Sequence, residues 1–183
     1  MRKIIIDTDP GQDDALAMMT AFGAKKDLNV LGVTCVAGNV PLDLTSVNAL
    51  KICELSGVFS VPVFRGSPAP LKRKLITAEH VHGKTGLDGT DLLVKKKELE
   101  PTDAVDFIIE CTEKYRDEKI TICALGPLTN IAKVLKEDTV STESIQEIVL
   151  MGGGFFEGGN ITPAAEFNIY VDPEAAKIVL ESG

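Results

Sequence analysis

Four aspartates fall within eight residues near the start of the chain, immediately after an apolar run. The run is Ile4-Ile5-Ile6, the acidic stretch is Asp7-Thr8-Asp9-Pro10-Gly11-Gln12-Asp13-Asp14, and the mostly apolar segment 15–19 follows. This pattern predicts a buried strand, an acidic turn and a helix. Ligands of open α/β sheets bind at the carboxyl ends of the strands. We therefore expect the acidic turn to lie where a ligand binds.

The four carboxylates repel one another, so a positive partner is expected among them. Oxygen ligands in this number suit Ca²⁺ or Mg²⁺, whereas zinc prefers histidine and cysteine. A simpler alternative stays open on the sequence alone. In that alternative, Asp13 or Asp14 caps the following helix and complements its dipole, while Asp7 and Asp9 are solvated turn residues.

Strand-like and helix-like patterns alternate along most of the chain. The predicted strands after the first are Leu28–Val36, Val61–Phe64, Lys119–Leu125 and Glu147–Met151. The predicted helices are Asp14 to about Lys25, Leu42–Gly57, Ala104–Tyr115, one opening at Leu128 and one from Pro173 to Gly183. Leu28–Val36 is β-branched and nearly unbroken, which suggests burial on both faces in a parallel sheet. The alternation predicts an α/β fold with a mostly parallel sheet.

Periodicity fails between Gly66 and Glu100, and this stretch contains both histidines of the protein. Loops of this length inside compact domains are usually functional. His80 and His82 alternate with other residues, so in an extended segment their side chains would point the same way. Their spacing does not indicate a metal site.

Three other strand ends carry residues suited to a site. Asn39 closes the second strand, where it is either an ordinary turn residue or a ligand-facing one. Leu125 presents a backbone carbonyl at the end of a later strand. After Met151, the missing side chains of Gly152-Gly153-Gly154 would let a ligand approach the backbone.

Composition indicates one globular domain over residues 1–183, with 44% hydrophobic and 25% charged residues. The net charge of −8 argues against a nucleic-acid partner and against an anionic membrane surface. No apolar run approaches transmembrane length, and the start lacks a signal peptide, so a cytoplasmic protein is expected. The four cysteines are predicted to be reduced core residues: Cys35, Cys53, Cys111 and Cys123.

Residues 7–15, Asp-Thr-Asp-Pro-Gly-Gln-Asp-Asp-Ala, resemble the amino-terminal motif of the inosine/uridine-preferring nucleoside hydrolases. Further matches follow in the family's order: Val36-Ala37-Gly38-Asn39, His80-Val81-His82-Gly83, Leu125-Gly126-Pro127-Leu128-Thr129-Asn130, Met151-Gly152-Gly153-Gly154 and Ala165-Glu166-Phe167-Asn168. The resemblance implies an open, mostly parallel sheet with helices on both faces. It also implies hydrolysis of the N-glycosidic bond of ribonucleosides to base and ribose by a Ca²⁺-activated water, in a homo-oligomer.

The resemblance further implies roles for individual residues. Asp9, Asp14 and the Leu125 carbonyl would ligate Ca²⁺, and Asp9 would also take the proton from the activated water. His82 falls where the family has an active-site histidine, and Asp7 would support the site from behind. The remaining residues would bind the nucleoside, mainly its ribose: Asp13, Asn39, Met151, Asn160, Glu166 and Asn168.

The chain departs from this family in its length. Full-length members carry, beyond the point that corresponds to Gly183, another aspartate ligand and a histidine often used as the leaving-group acid. We therefore expect a domain truncated at its carboxyl terminus, which is either a fragment of a longer protein or a natural short form with an incomplete, impaired site. Two alternatives stay open: a non-catalytic nucleoside- or calcium-binding protein, and a haloacid-dehalogenase-like phosphatase in which Asp7 and Asp9 serve as nucleophile and partner acid.

Overall fold

Strands and helices alternate through residues 1–89, 92–137, 140 and 142–183, which are the residues that this computed structural model describes. The strands are β1 (Arg2–Thr8), β2 (Leu28–Cys35), β3 (Val63–Arg65), β4 (Glu100–Asp103), β5 (Ile120–Ala124) and β6 (Ile145–Leu150). The helices are α1 (Gln12–Gly23), α2 (Leu42–Leu55), α3 (Glu79–His82), α4 (Ala104–Lys114), α5 (Thr129–Lys136), α6 (Phe167–Val171) and α7 (Pro173–Leu180). A 3₁₀ turn, Thr142–Ser144, precedes β6.

The strands form a six-stranded sheet in the order β4-β3-β2-β1-β5-β6, and each neighbouring pair is parallel. The chain first adds strands on one side of β1 and then crosses to its other side at β5. This reversal creates a crevice at the carboxyl ends of β1 and β5, where open α/β sheets bind their ligands. The acidic loop after β1 and Leu125 after β5 both lie at this edge.

The two faces of the sheet are covered by different helices. Ile4 and Ile6 point into a core with Met18 of α1 and Leu50 of α2. Ile5, which alternates with them along β1, points into the opposite core with residues of α4, α5 and α7. The predicted α/β fold with helices on both faces is confirmed.

Most predicted elements form within a few residues of their predicted ends. Helix α7 begins at Pro173, and its cap is Asp172, whose carboxylate accepts a hydrogen bond from the Ala175 N–H. Strand β2 is buried only from Gly32 to Cys35, because its first half lies near the surface beside the start of β1. The prediction that both faces of β2 are buried along its whole length is therefore wrong.

The segment between β3 and α4 contains two elements that the sequence pattern does not predict. Helix α3 is a single four-residue turn, too short to show a helical period. Strand β4 has the sequence Glu-Pro-Thr-Asp. It lies at the edge of the sheet, where β3 is its one partner among the described strands, so it needs no apolar run. His80 and His82 therefore lie on a helical turn rather than in an extended segment. Thr90 and Asp91 of the predicted long loop lie outside the described residues.

All four cysteines are free thiols. Cys35, Cys53 and Cys111 are buried and Cys123 is half-buried, which confirms the core assignment for three of them. Burial raises the pKa of Cys53 and of Cys111 to about 11, so these thiols stay protonated and unreactive at neutral pH. In the part of the chain that the structure describes, no helix combines the length and apolarity needed to cross a membrane.

Candidate active site

A cavity of about 260 Å³ opens at the carboxyl edge of the sheet. Every residue predicted for the site lines it: Asp9, Asp13, Asp14, Asn39, His82, Leu125, Met151, Asn160, Glu166 and Asn168. These residues come from loops that follow four strands or from the long segments between them. The structure thus brings together residues separated by up to 159 positions (168 − 9) in the sequence.

Asp9 is enclosed by the backbone of neighbouring strand ends. The Asn39 N–H donates to Oδ2 of Asp9 over 2.7 Å, and the Asn39 side-chain amide donates to the Asp9 carbonyl over 3.0 Å. A Cβ atom at Gly38 or Gly126 would collide with the Asp9 carboxylate. Glycine at these two positions therefore makes the room in which the carboxylate sits.

Asp14 is held at the start of α1. Its Oδ1 accepts a hydrogen bond from the Thr8 hydroxyl over 2.5 Å, and its Oδ2 accepts one from the Gly11 N–H over 3.1 Å. The second bond closes the amino terminus of the helix, so Asp14 does contribute to capping. It also lines the cavity. Asp14 therefore both caps α1 and lines the cavity.

Asp7 lies behind the cavity rather than in its lining. It is fully buried, and its Oδ1 accepts hydrogen bonds from the Thr34 hydroxyl over 2.6 Å and from the Asn130 amide over 2.8 Å. Asp7 thus connects β1 with β2 and α5. Because Asp9 is also buried, the alternative in which these two aspartates are solvated turn residues is wrong.

The buried carboxylates are electrostatically destabilised. Burial raises the pKa of Asp7 to about 6 and that of Asp14 to about 6. Burial also raises the pKa of Asp9 well above its usual range, and the nearby charge of Asp14 adds to this rise. A cation would relieve both effects, since an opposite charge favours the ionised form.

The donor atoms suit a hard cation. Asp9 and Asp14 have carboxylate oxygens, Leu125 lines the same cavity and has a backbone carbonyl, and Ca²⁺ takes oxygen ligands of both kinds. Among the described residues, no three His, Cys, Asp or Glu side chains are grouped to hold a metal ion. A cation here would therefore draw on carbonyl and water oxygens besides the two carboxylates.

The far wall of the cavity is built around Glu166. Its Oε1 accepts from the Asn168 N–H over 2.9 Å, capping α6, and its Oε2 accepts from the Gly153 N–H over 3.1 Å. The Asn168 amide donates to the carbonyls of Leu125 and Met151. These bonds tie the start of α6 to the ends of β5 and β6. Asn160 is exposed, and its Oδ1 accepts from the Phe167 N–H over 2.8 Å.

His82 lies at the cavity rim with its Nδ1 2.7 Å from Oε1 of Gln12. The lining also includes residues for which the sequence predicted no role in the site: Ala78, His80, Val81, Ile161 and Phe167. Most of these five residues lie close in sequence to His82, Asn160 or Glu166, and that proximity was the one indication of a place in the site. Phe167, which is buried, adds an apolar surface beside the polar wall.

Comparisons with known proteins find similar proteins over the whole chain. The family model described as inosine-uridine preferring nucleoside hydrolase matches residues 4–183. The pyrimidine-specific ribonucleoside hydrolase RihB of Escherichia coli is 47% identical over 182 residues, which are 100% of this chain and 57% of that protein. The chain thus spans little more than half the length of this relative.

Two solved structures share the fold. A plant nucleoside hydrolase, the PpNRh1 enzyme, superimposes with a TM-score of 0.93 at 40% identity, over 100% of this chain and 57% of that one. A purine-preferring ribonucleoside hydrolase from Gardnerella vaginalis superimposes with a TM-score of 0.92 at 34% identity, over 99% of this chain and 58% of that one.

Proposed function

The chain belongs to the inosine-uridine preferring nucleoside hydrolase family, and we propose that it hydrolyses the N-glycosidic bond of ribonucleosides to release base and ribose. One observation carries the proposal. Three acidic residues and two asparagines line one cavity at the point where the strand order reverses: Asp9, Asp14, Glu166, Asn39 and Asn168. Such an edge is where this class of sheet binds small molecules.

The first part of the proposal concerns water activation. Asp9, Asp14 and the Leu125 carbonyl would hold Ca²⁺, whose chemistry when bound is to make a coordinated water more acidic. Asp9 accepts the proton of the attacking water. Its enclosure between Gly38 and Gly126 fixes the carboxylate in one place, as a general base requires.

The second part concerns the sugar. Asp13 and Asn39 hold the ribose hydroxyls from the side of β1 and β2. Asn160, Glu166 and Asn168 hold them from the side of α6, and Met151 lies beside the sugar ring. Cleavage of a glycosidic bond develops positive charge on the sugar, and a carboxylate-lined cavity stabilises that charge. The preorganised bonds of Glu166 to backbone N–H groups keep its carboxylate in position.

The third part concerns the leaving base and the substrate class. In this proposal His82 and His80 contact the base, and they line the cavity together with Val81 and Phe167. The described residues that line the cavity include four carboxylates and no lysine or arginine, which suits an uncharged nucleoside better than a nucleotide. Relatives named pyrimidine-specific and purine-preferring both occur, so the proposal specifies ribonucleosides without a base preference.

The phosphatase alternative fails on one observation. Its nucleophile would be Asp7, which is fully buried and absent from the cavity lining. A substrate phosphorus atom could not reach that carboxylate.

The proposal is tested by incubating the protein with inosine or uridine in Ca²⁺ and measuring reducing sugar and free base. We expect both products in equal amounts, little activity towards the matching nucleoside monophosphates, and loss of activity with a chelator. Asp27→Asn, a change in an exposed acid that does not line the cavity, is the matched control. Calorimetric nucleoside binding without release of ribose would overturn the catalytic proposal and leave a binding protein.

A further inference from the structure

Gln12 and His82 are joined by a paired contact at the cavity rim, although 70 residues separate them in sequence. Oε1 of Gln12 lies 2.7 Å from Nδ1 of the His82 ring, and Nε2 of Gln12 lies 3.5 Å from the His82 backbone carbonyl. The first contact has the length of a good hydrogen bond, and the second is a long one. One side chain thus engages both the ring and the backbone of the histidine.

The backbone contact fixes which way the Gln12 amide faces. With Nε2 towards the His82 carbonyl, the amide donates to an acceptor, whereas the flipped amide would place two acceptor oxygens against each other. Oε1 therefore faces the ring and can only accept. A hydrogen bond between Oε1 and Nδ1 then requires the proton to be on Nδ1.

The surrounding chain makes this approach possible. Gln12 is the first residue of α1, and His82 ends the short helix α3. A Cβ atom at Gly11 would lie 2.5 Å from Nδ1 of His82 and 3.1 Å from the Asn39 amide. Glycine at position 11 thus lets the imidazole pack against the start of α1, where Gln12 reaches it.

We propose that Gln12 is a positioning residue that holds His82 with its proton on Nδ1 and so reserves Nε2 for the bound ligand. Oε1 of Gln12 accepts from the Nδ1 proton whether the imidazole is neutral or charged. Any proton that His82 exchanges with a ligand therefore moves at Nε2, without rotation of the ring. The consequence for catalysis rests on the proposed hydrolase function, but the tautomer itself does not.

The tautomer can be read directly by long-range proton–nitrogen NMR of the ¹⁵N-labelled protein, at a pH where the imidazoles are neutral. We expect His82 to show a protonated Nδ1 and an unprotonated Nε2. Gln12→Met keeps the side-chain length but removes the acceptor, and it should shift the tautomer ratio roughly three- to ten-fold towards the Nε2-protonated form. Gln12→Glu retains an acceptor and should preserve the wild-type tautomer.

Two features keep the experiment decisive. Gln12 is exposed, so its substitution does not disturb the core, and the exposed His80 serves as an internal reference in the same spectra. A His82 ring protonated mainly at Nε2 in the wild type, or an unchanged ratio in Gln12→Met, would overturn the proposal. In the nucleoside assay, Gln12→Met should lower kcat several-fold in the wild type and have no further effect in a His82→Gln background. If the wild type releases no ribose, the hydrolase proposal falls while the tautomer measurement still decides the role of Gln12.

Discussion

The side-chain amide of Asn168 donates a hydrogen bond to the backbone carbonyl of Leu125 over 2.8 Å. This bond joins the start of α6 to the end of β5, and its acceptor is the carbonyl proposed to ligate the cation. A carbonyl oxygen has two lone pairs, so it can accept this bond and still face a cation. Asn168 therefore orients a carbonyl that is proposed as a metal ligand, in addition to its own proposed contact with ribose.

The first prediction follows from this bond. Asn168→Ala should weaken Ca²⁺ binding roughly ten- to a hundred-fold even without nucleoside, the usual effect of losing a group that orients a ligand. Calorimetry with CaCl₂ measures the change. Asn160→Ala is the matched control, because Asn160 lines the same cavity but bonds to Phe167 instead of Leu125. Equal Ca²⁺ affinity in wild type and Asn168→Ala would show that the bond from Asn168 to Leu125 does not support cation binding.

The second prediction concerns protons released by the cation. Burial raises the pKa of Asp14 to about 6, so this carboxyl is partly protonated near pH 6. Burial also raises the pKa of Asp9 well above its usual range, so this carboxyl holds its proton more tightly than an exposed aspartate does. Because a cation binds the ionised form, Ca²⁺ binding should release protons at this pH and strengthen as the pH rises. Calorimetry in two buffers of different ionisation enthalpy counts the protons. If the number of protons released on Ca²⁺ binding is the same at acidic and alkaline pH, this prediction is wrong.

The third prediction concerns stability in the absence of cations. Burial raises the pKa of Asp7 from 3.8 to about 6. The folded state therefore binds the Asp7 proton more tightly than the unfolded state does. The stability gained in this way is fully present below the unfolded pKa of 3.8, and it is lost as the pH rises through about 6. The loss is roughly 3 kcal/mol for a shift of this size. Asp7→Asn removes the charge but keeps an oxygen for Thr34 and Asn130.

Urea unfolding of the chelated protein at several pH values tests this. Between about pH 4 and pH 6, the free energy of unfolding should fall less steeply in Asp7→Asn than in the wild type. Asp27→Asn, in an exposed position, should follow the wild-type curve. Parallel curves for Asp7→Asn and wild type would show that Asp7 has an ordinary pKa in the folded protein.

The sequence predicts the sheet and its strand ends well, because apolar runs separated by helical segments leave few arrangements of a parallel sheet. It follows that Asp9, Asn39 and Leu125 meet at one edge. The contact between Gln12 and His82 was not predictable in this way, since it depends on how a segment without periodicity folds back onto α1.

A contact of the segment that follows the histidines was also not predictable from the sequence. There, the Glu54 carboxylate accepts hydrogen bonds from the backbone N–H groups of Lys95, Lys96 and Lys97, which anchors residues 95–97 to the end of α2. The lysine run predicts only a solvated face. The backbone of the run makes the contact with Glu54, and side-chain patterns carry no signal for a backbone contact.

The last prediction concerns Asp9, proposed as both cation ligand and general base. Asp9→Asn preserves size and an oxygen that can accept from the Asn39 N–H, but it removes the charge and the ability to take a proton. Turnover should fall by roughly two to four powers of ten, which is typical for loss of a general base. Nucleoside binding should remain measurable by calorimetry, because Asp13, Asn39 and Glu166 still line the cavity.

Asp13→Asn provides the contrast to Asp9→Asn. Because Asp13 is a proposed ribose ligand, its substitution should affect KM as well as kcat, while Ca²⁺ binding is largely kept. If Asp9→Asn keeps near-normal turnover, the base lies elsewhere, and the carboxylate enclosed by Gly38 and Gly126 serves only to hold the cation.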